Sequence, residues 1–478
     1  METRKLSDVL HLLSITSNQD VYLCGISNHS KAVSKDWLFI SECKHPNYYD
    51  YLYEALRKGA YVLTDQPYTK KYRKNQVIYD PKLQENHIKI LSFYYAWIGY
   101  DGKLIGITGT NGKSSVASYL TQLLRLKHKR VLRIGTHLVE DGCIYKTTKN
   151  TTPDGYLLAN ILQYAKQQNI PYIVMELSSH AFEQNRLSFL RFDCIIVTTI
   201  TSDHLDFHKT KCHYQHAKQK CRWYLKDHGF LIVNADDVGS SSLLSYSHRN
   251  MITVGTKKAH FLIKDISCNQ YGASFILQQT RYHTTLLGIY NIYNIVFALS
   301  CMQCVFYELI ECDELLKIHG EPGRMQCVCQ KPVTIWIDYA HTTTALKALL
   351  EFANTVKKGK IYTIFGCGGN RDIQKRKEMA TVACQYSDTA VFTADNPRDE
   401  PLFNILKDMC QTCLKNYEVY ENRYFAINNT IKKAKESDII IIAGKGNEKT
   451  QEIEGNFYPF HDETCVIDCL KKEEEHWK

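Results

Sequence analysis

Residues Lys103 to Leu124 read K-L-I-G-I-T-G-T-N-G-K-S-S-V-A-S-Y-L-T-Q-L-L, and no other stretch restricts the fold as much. Leu104 to Ile107 is a short apolar run of the kind that forms a buried strand. Gly109, Thr110, Asn111 and Gly112 make a turn, and Val116, Ala117, Leu120, Leu123 and Leu124 recur at helical spacing. Strand, glycine turn, Lys-Ser and helix is the arrangement of a phosphate-binding loop. Its backbone N–H groups and the helix N-terminus face an anion, Lys113 adds a point charge, and the Ser114 hydroxyl suits Mg²⁺. Ile107 stands where the strict G-x-x-x-x-G-K-[ST] pattern has its first glycine, so the loop is a variant. The expected ligand is a nucleoside triphosphate.

A chain of 478 residues has room for about three domains at ~150 residues each. Ile439 to Ala443 reads as the longest apolar run, well short of the ~18 to 20 residues that span a bilayer, and the start (Met1 to Leu13) is charged and amphipathic, with Ser7 as the expected helix cap. These features predict a soluble, cytoplasmic protein without membrane insertion. The 59 basic and 50 acidic residues leave +9, scattered rather than striped, which suits anionic small molecules and gives no support to nucleic-acid binding. Eighteen cysteines are expected as reduced thiols. The pairs Cys301/Cys304 and Cys410/Cys413 lack the knuckle glycines of a zinc ribbon and are expected to be packed or solvated.

Along the chain, residues 1–100 form a block of short strand-like runs (Tyr22 to Ile26, Trp37 to Ile40, Ala60 to Leu63) closed by an aromatic helix, Ile90 to Tyr100. Residues 101–324 begin with the phosphate loop. There the strand Tyr172 to Met175 ends in Glu176, where doubly wound sheets place ligands. Such a glutamate suits an Mg²⁺ ligand or a base, although a lone Glu is more often a surface residue. His204 and His208 are spaced i, i+4, but without the Glu of H-E-x-x-H a metalloprotease reading fails. Lys218, on a helix expected over Tyr214 to Leu225, reads by itself as a solvated face. Residues 325–478 alternate strand and helix, and the strands Val333 to Ile337, Ile361 to Phe365, Ala390 to Thr393 and Ile439 to Ala443 each end in small or polar residues. That pattern predicts a second α/β sheet with a site along its carboxyl edge.

Taken together, T-G-T-N-G-K-S-S (Thr108 to Ser115), M-E-L-S-S-H (Met175 to His180), D-H-L-D-F-H (Asp203 to His208), G-E-P-G-R-M (Gly320 to Met325), D-Y-A-H-T (Asp338 to Thr342) and F-G-C-G-G-N-R-D (Phe365 to Asp372) resemble the Mur ligase family over essentially the whole chain. The resemblance implies an α/β protein of three domains: a small N-terminal α/β domain, a central P-loop ATPase-like domain and a C-terminal Rossmann-like domain. N-T-T-P (Asn150 to Pro153), D-N-P-R (Asp395 to Arg398) and G-K-G-N-E (Gly444 to Glu448) are similar to the branch that extends UDP-N-acetylmuramoyl-L-alanyl-D-glutamate. D-N-P-R resembles the form that adds meso-diaminopimelate rather than lysine.

What the resemblance implies can be placed residue by residue. ATP would be held by Gly109, Thr110, Asn111, Gly112, Lys113, Ser114 and Ser115, with Asn294, Arg324 and Asp338 near the adenine and phosphates. Lys113, Glu176, His204 and Lys218 would be catalytic. Ser114 and Glu176 would share one Mg²⁺, His204 would assist a second, and Lys218 would be carbamylated to an oxygen ligand for it. Ser30, Asn150, Thr151, Thr152, Ser178, Gln184 and Arg186 would bind the UDP-muramoyl dipeptide. Arg371, Asp395, Asn396, Pro397, Arg398, Gly444 and Glu448 would bind diaminopimelate, Arg398 taking its distal carboxylate bidentately. The partners implied are these small molecules, and the chain is expected to be a monomer. Thr199, Thr343 and Asn447 depart from the family's usual Asn, Pro and His. Asn28-His29-Ser30-Lys31 replaces its usual Asp-Ser-Arg arrangement, and the glycine-rich stretch after the Phe39 strand is gone. Competing readings are a lysine-adding or folylpolyglutamate-type ligase, an inactive nucleotide-binding relative, and a nucleic-acid-dependent ATPase.

Overall fold

The structure is a computed structural model that describes residues 4–16, 21–44, 46–136, 138–146, 148, 150–245, 248–411, 413 and 416–473. The chain divides into two compact units. One takes the chain to Gly106 together with His128–Ile195 and Lys220–Gly229; the other takes Ile107–Lys127, Ile196–Gln219 and Phe230–Lys478. The division falls within the strands Lys103–Thr108, Phe192–Val197 and Leu225–Asn234.

In the first unit Gly25–Ser27, Trp37–Ser41, Tyr61–Thr64 and Val77–Tyr79 form a four-stranded sheet, every neighbour parallel. Parallel neighbours need a crossover. The helix Tyr48–Arg57 supplies one, burying Leu52, Ala55 and Leu56 against Phe39 and Val62. The stretch Gly25 to Ile40, which reads in sequence as a loop before a strand, holds two paired strands. The first helix runs Leu6–Leu12, with Ser7 inside its first turn; Lys5 is the cap position and its N–H donates to the Asp8 carboxylate at 3.1 Å. Residues 1–3 of the predicted amphipathic start lie outside the described residues. The aromatic helix begins earlier than expected, at Leu83, and ends at Ile98 against Gly99, whose φ is +60°. Tyr172–Glu176 pairs in parallel with Val131–Gly135 and so brings Glu176 to the strand's carboxyl end.

In the second unit the helix Lys113–Leu126 packs against Ile289–Phe306. That second helix corrects the apolar-run expectation. Among the described residues it alone has the length and hydropathy to cross a membrane, with 67 % of it buried. Its Asn291 and Asn294 interrupt the apolar run in sequence, yet both are buried within the fold. A further antiparallel meander, Phe261–Asn269, Gly272–Leu277 and Thr280–Thr284, lies outside the sequence expectations.

The C-terminal sheet has the spatial order Gln326–Cys329, Thr334–Asp338, Ile439–Ala443, Ile361–Phe365, Thr389–Phe392, Tyr417–Val419. Only the first pair is antiparallel. Ile439–Ala443 is buried throughout, as a strand covered on both faces must be. Leu346, Leu349, Met379, Ile405 and Leu406 cover one face; Ala426, Ile427, Ile431 and Val466 cover the other. Strand ends in parallel neighbours share one edge, so Asp338, Gly366, Ala394-Asp395 and Gly444 are collected there. The residues beyond those ends start the next helices: Thr342 Oγ1 accepts from Ala345 N (3.2 Å) and Asp372 Oδ1 from Gln374 N (2.9 Å).

Two local expectations are corrected. The helix carrying Lys218 runs Lys211–Gln219 and continues as a tighter turn, Lys220–Tyr224, because Leu225 already starts a strand. Cys384 and Cys413 form a disulfide across 6.4 Å between Cα atoms, so two of the eighteen cysteines are not thiols. Spacing does not reveal this pairing, since Cys413 reads as the partner of Cys410, three residues away, whereas the fold carries it to the helix Ile373–Tyr386.

Candidate active site

The phosphate loop has the backbone its glycines permit. Gly109 has φ +146° and Gly112 φ +85°, both in regions that L side chains rarely adopt. A Cβ on Gly109 would overlap Thr198 Oγ1, and one on Gly112 would lie 2.5 Å from Asn294 Oδ1. Thr198 Oγ1 donates to the Asn111 carbonyl at 2.6 Å, and Thr110 N donates to the Thr199 carbonyl at 2.5 Å, pinning the loop from below. Because Thr199 acts through its backbone, its departure from the family's Asn leaves the loop's shape intact.

Two lysines meet on this loop. Lys113 Nζ and Lys218 Nζ each donate to the Gly109 carbonyl at 2.9 Å; Lys113 also reaches the Thr110 carbonyl (3.0 Å) and Lys218 the Thr108 hydroxyl (3.3 Å). Lys218 is 2 % exposed, so the solvated face that its sequence suggests is not what forms. Ser114 and Ser115 are buried at the start of the helix, and Arg324 Nη2 lies 3.4 Å from Ser114 Oγ. The Arg324 guanidinium stacks over the Tyr339 ring at 4.2 Å. Asn294 Nδ2 donates to Asn291 Oδ1 at 3.2 Å. Asp338 Oδ2 accepts from Met325 N at 2.6 Å; burial raises its carboxyl above the ordinary value even though Arg324 and two N–H groups favour the charge.

A cleft of about 1330 Å³ lies beside the carboxyl edge of the C-terminal sheet. Its lining includes His204, His341, Arg371, Lys375, Asn396 and Arg398. His204 sits at φ +52°, ahead of a four-residue helix, whereas His208, one turn on, packs edge-on against Tyr214. The i, i+4 histidines therefore divide, one lining the cleft and one in the core. Asp203, which opens the D-H-L-D-F-H motif without an assigned role in sequence, is a hub. Its carboxylate takes Lys375 Nζ at 3.1 Å and lies 3.5 Å from His204 Nε2 and 3.6 Å from His341 Nε2. Burial pushes it up, but the His341 hydrogen bond and the Lys375 and histidine charges outweigh that and hold it well below its usual range. Arg371 pairs with Asp206 at 2.7 Å.

The D-N-P-R and G-K-G-N-E segments interlock. Fully buried Lys445 donates to Asn396 Oδ1 (3.0 Å), Glu448 Oε2 (3.1 Å) and the Thr450 carbonyl (2.8 Å). Asn396 Nδ2 donates to Glu448 Oε2 at 2.9 Å. Asp395 lies beneath them, its carboxyl raised by burial despite Lys445, and packs close to Gly444, whose φ is +106°. The Pro397 carbonyl accepts from Glu400 N at 3.2 Å. Arg398 Nη1 donates to the Gly369 carbonyl at 2.8 Å and Nε pairs with Glu452 at 3.1 Å. Cys367 lines the cleft too, but burial pushes its thiol up to about 12, which leaves it protonated and inert. Asn447, where the family has His, accepts from His461 Nε2 at 3.1 Å, and Thr343 Oγ1 donates to Glu378 at 3.1 Å.

In the first unit Glu176 is fully buried. Its Oε1 accepts from Thr136 N (3.1 Å) and its Oε2 from Thr136 Oγ1 (3.2 Å), which in turn contacts Thr151 Oγ1 at 3.2 Å. Thr152 Oγ1 donates to the Glu176 carbonyl (2.8 Å) and accepts from Ser178 N (2.9 Å). Arg186 Nη1 donates to the Thr152 carbonyl at 2.7 Å and its Nε to Gln184 Oε1 at 2.9 Å. Thr151, Thr152, Ser178, Gln184 and Arg186 are thus brought together, with Asn150 exposed at their margin. Ser30 is not part of that group: it is buried, and its hydroxyl donates to Glu54 at 2.6 Å. Among the described residues no group of three or more His, Cys, Asp and Glu could hold a metal ion.

A lysine-tipped glycine loop at a helix start and a cleft lined by both cationic and carboxylate side chains, on α/β sheets, suit a protein that handles nucleotides and charged small molecules. The family model described as Mur ligase middle domain matches residues 107–302, and that described as Mur ligase, glutamate ligase domain matches 323–446. The UDP-N-acetylmuramoyl-L-alanyl-D-glutamate–2,6-diaminopimelate ligase of Buchnera aphidicola is 33 % identical over 484 residues, 94 % of each chain. Its Rickettsia rickettsii counterpart is 34 % identical, covering 94 % of this chain and 96 % of its own. A solved structure of a ligase with that same title superposes with TM-score 0.66 at 26 % identity, covering 98 % of this chain and 99 % of the other. The ADP complex of MurF ligase from Thermotoga maritima gives TM-score 0.70 at 17 % identity, over 95 % and 98 %, a likeness of fold. The chain belongs to the Mur ligase family, ATP-dependent enzymes that join an acid to an amino acid.

Proposed function

We propose that the chain adds meso-diaminopimelate to UDP-N-acetylmuramoyl-L-alanyl-D-glutamate, cleaving ATP to ADP and phosphate. The side-chain carboxylate of the D-glutamyl residue attacks the γ-phosphorus and ADP leaves, forming an acyl phosphate. The amine of diaminopimelate then attacks the acyl carbon, loses a proton and displaces phosphate. Two anions meet in the first step, so the protein's part is positioning and charge neutralisation. Residues 1–100 bind the UDP end, 101–324 ATP and 325–478 the amino acid, in a monomeric cytoplasmic enzyme.

Lys113 neutralises the transferring phosphoryl group, and the glycine loop from Gly109 to Ser115 holds the phosphates. Ser114, Glu176, His204 and Lys218 are the proposed Mg²⁺ ligands; when bound, Mg²⁺ supplies positive charge to the phosphate oxygens. Their chemistry fits a hard cation once Lys218 is carbamylated. Two ammonium groups on one carbonyl oxygen favour that modification, which replaces a like-charge pair by an opposite one. Thr151, Thr152, Ser178, Gln184 and Arg186 hold the dipeptide.

The observation that carries the amino-acid assignment is Arg398, whose guanidinium lines the cleft beside Asn396 and Glu448. A planar fork matches the distal carboxylate of diaminopimelate. Lysine, lacking that carboxylate, would forgo the bidentate pairing and leave the guanidinium only its contacts to Glu452 and Gly369. The printed names of the curated relatives support the same choice. The test is coupled ADP release with UDP-N-acetylmuramoyl-L-alanyl-D-glutamate, Mg²⁺ and a panel of amino acids. Turnover is expected with meso-diaminopimelate; equal turnover with L-lysine removes the specificity, and none with any amino acid removes the reading.

A further inference from the structure

We infer that Glu452, on a hairpin that the motifs do not include, is the positioning residue that aims the Arg398 fork at the substrate carboxylate. The inference rests on the assignment of Arg398 above. Thr450–Ile453 and Asn456–Pro459 form an antiparallel hairpin closed by Glu454 and Gly455, both at positive φ. This hairpin grips Arg398 by its main chain. Arg398 N donates to the Glu452 carbonyl at 3.0 Å, and Glu454 N donates to the Arg398 carbonyl at 2.8 Å. Arg398 itself has φ +54°, a conformation that costs a non-glycine residue free energy and persists only where surroundings over-determine it.

The side chains complete the grip. Glu452 Oε2 holds Arg398 Nε at 3.1 Å, and the Gly369 carbonyl holds Nη1 at 2.8 Å. A guanidinium has five N–H donors in one plane. Nε and one hydrogen of Nη1 are committed, which leaves the second Nη1 hydrogen and the Nη2 pair for a substrate carboxylate; among the described residues Nη2 has no protein acceptor. The plane is fixed before substrate arrives, so less side-chain entropy is lost on binding. Glu452 N also donates to Asn396 Oδ1 at 3.0 Å, which ties the second D-N-P-R side chain to the same strand.

Positioning and charge make opposite forecasts. As a mere neighbouring negative charge, Glu452 would weaken attraction for a second carboxylate, and removing it would tighten binding. As the group that aims the fork, it must lower KM for diaminopimelate. Steady-state kinetics on the full chain decide between them. Glu452→Ala is expected to raise KM for diaminopimelate about tenfold, and Glu452→Gln, which keeps a neutral acceptor, about threefold. KM for ATP and kcat should stay within twofold, and residual turnover of L-lysine, which lacks the distal carboxylate, should not fall. A merely structural role would depress both amino acids together. If Glu452→Ala does not fold, Glu452→Gln carries the test alone. An unchanged or lowered KM for diaminopimelate, or a parallel loss with lysine, overturns the inference. Arg398→Ala separates the layers: if it leaves that KM unchanged, the Arg398 assignment fails; if it raises KM while both Glu452 variants do not, only the role of Glu452 fails.

Discussion

Replacing Gly109 by alanine tests whether the phosphate loop depends on the geometry described. At φ +146° a residue with a side chain is strained by about 1–3 kcal/mol. The new methyl would also overlap Thr198 Oγ1 and stand 3.0 Å from the Thr199 carbonyl oxygen. Thr198 can yield only by giving up its 2.6 Å bond to the Asn111 carbonyl, about 1 kcal/mol more. The sum, about 2–4 kcal/mol, corresponds to a roughly 30- to 700-fold weaker ATP interaction at ~1.4 kcal/mol per tenfold. If the free loop relaxes, ATP binding must restore it and KM for ATP rises by that factor. If it cannot relax, the cost appears as a lower thermal midpoint instead. Coupled ADP release and thermal unfolding read the two outcomes. Thr198→Ala removes the overlapping oxygen, so the double variant should lose less than the sum of the single ones. Wild-type KM and wild-type midpoint together in Gly109→Ala, or strict additivity with Thr198→Ala, would refute the reasoning.

Other perturbations read other parts of the molecule. Lys218→Ala should abolish turnover, with partial rescue by short carboxylic acids that replace the carbamate; full activity without rescue rules the modification out. Arg423 and Asp462 form a pair with neither side chain exposed, and Asp462→Ala leaves a buried guanidinium unneutralised. Denaturant unfolding should show a loss of about 3–5 kcal/mol, and a loss under 1 kcal/mol contradicts the burial argument. Glu400 is held below its ordinary 4.5, first by the hydrogen bond from Arg376. Its charged form therefore stabilises the fold above about pH 4.5, and that contribution disappears as pH falls through the lower folded value. The advantage of wild type over Glu400→Gln should be about 1–2 kcal/mol near neutrality and shrink as pH falls through the lowered folded value; a gap constant with pH contradicts the pairing.

The local signals in the chain settled the strand, turn and helix from Lys103 to Leu126 and four parallel strands of the C-terminal sheet, but not its edge strand Tyr417–Val419. Periodicity, glycine and the Lys-Ser pair act over a few residues and need no partner from elsewhere. The same was true of the D-N-P-R and G-K-G-N-E segments as chemical groups. What surrounds them was settled only when distant segments met. Lys218 looks like a surface residue until its helix lays it on the Gly109 carbonyl, more than a hundred positions away. Asp203 is one acid among fifty until Lys375 and His341 arrive to hold its charge. Cys413 bonds to Cys384 rather than lying beside Cys410 as a thiol because tertiary packing, not spacing, brings sulfurs together. Glu452 acquires its partner from a segment 54 residues earlier. Side-chain roles that depend on charge in a low-dielectric interior are properties of the neighbours, and a one-dimensional chain does not state who those neighbours are.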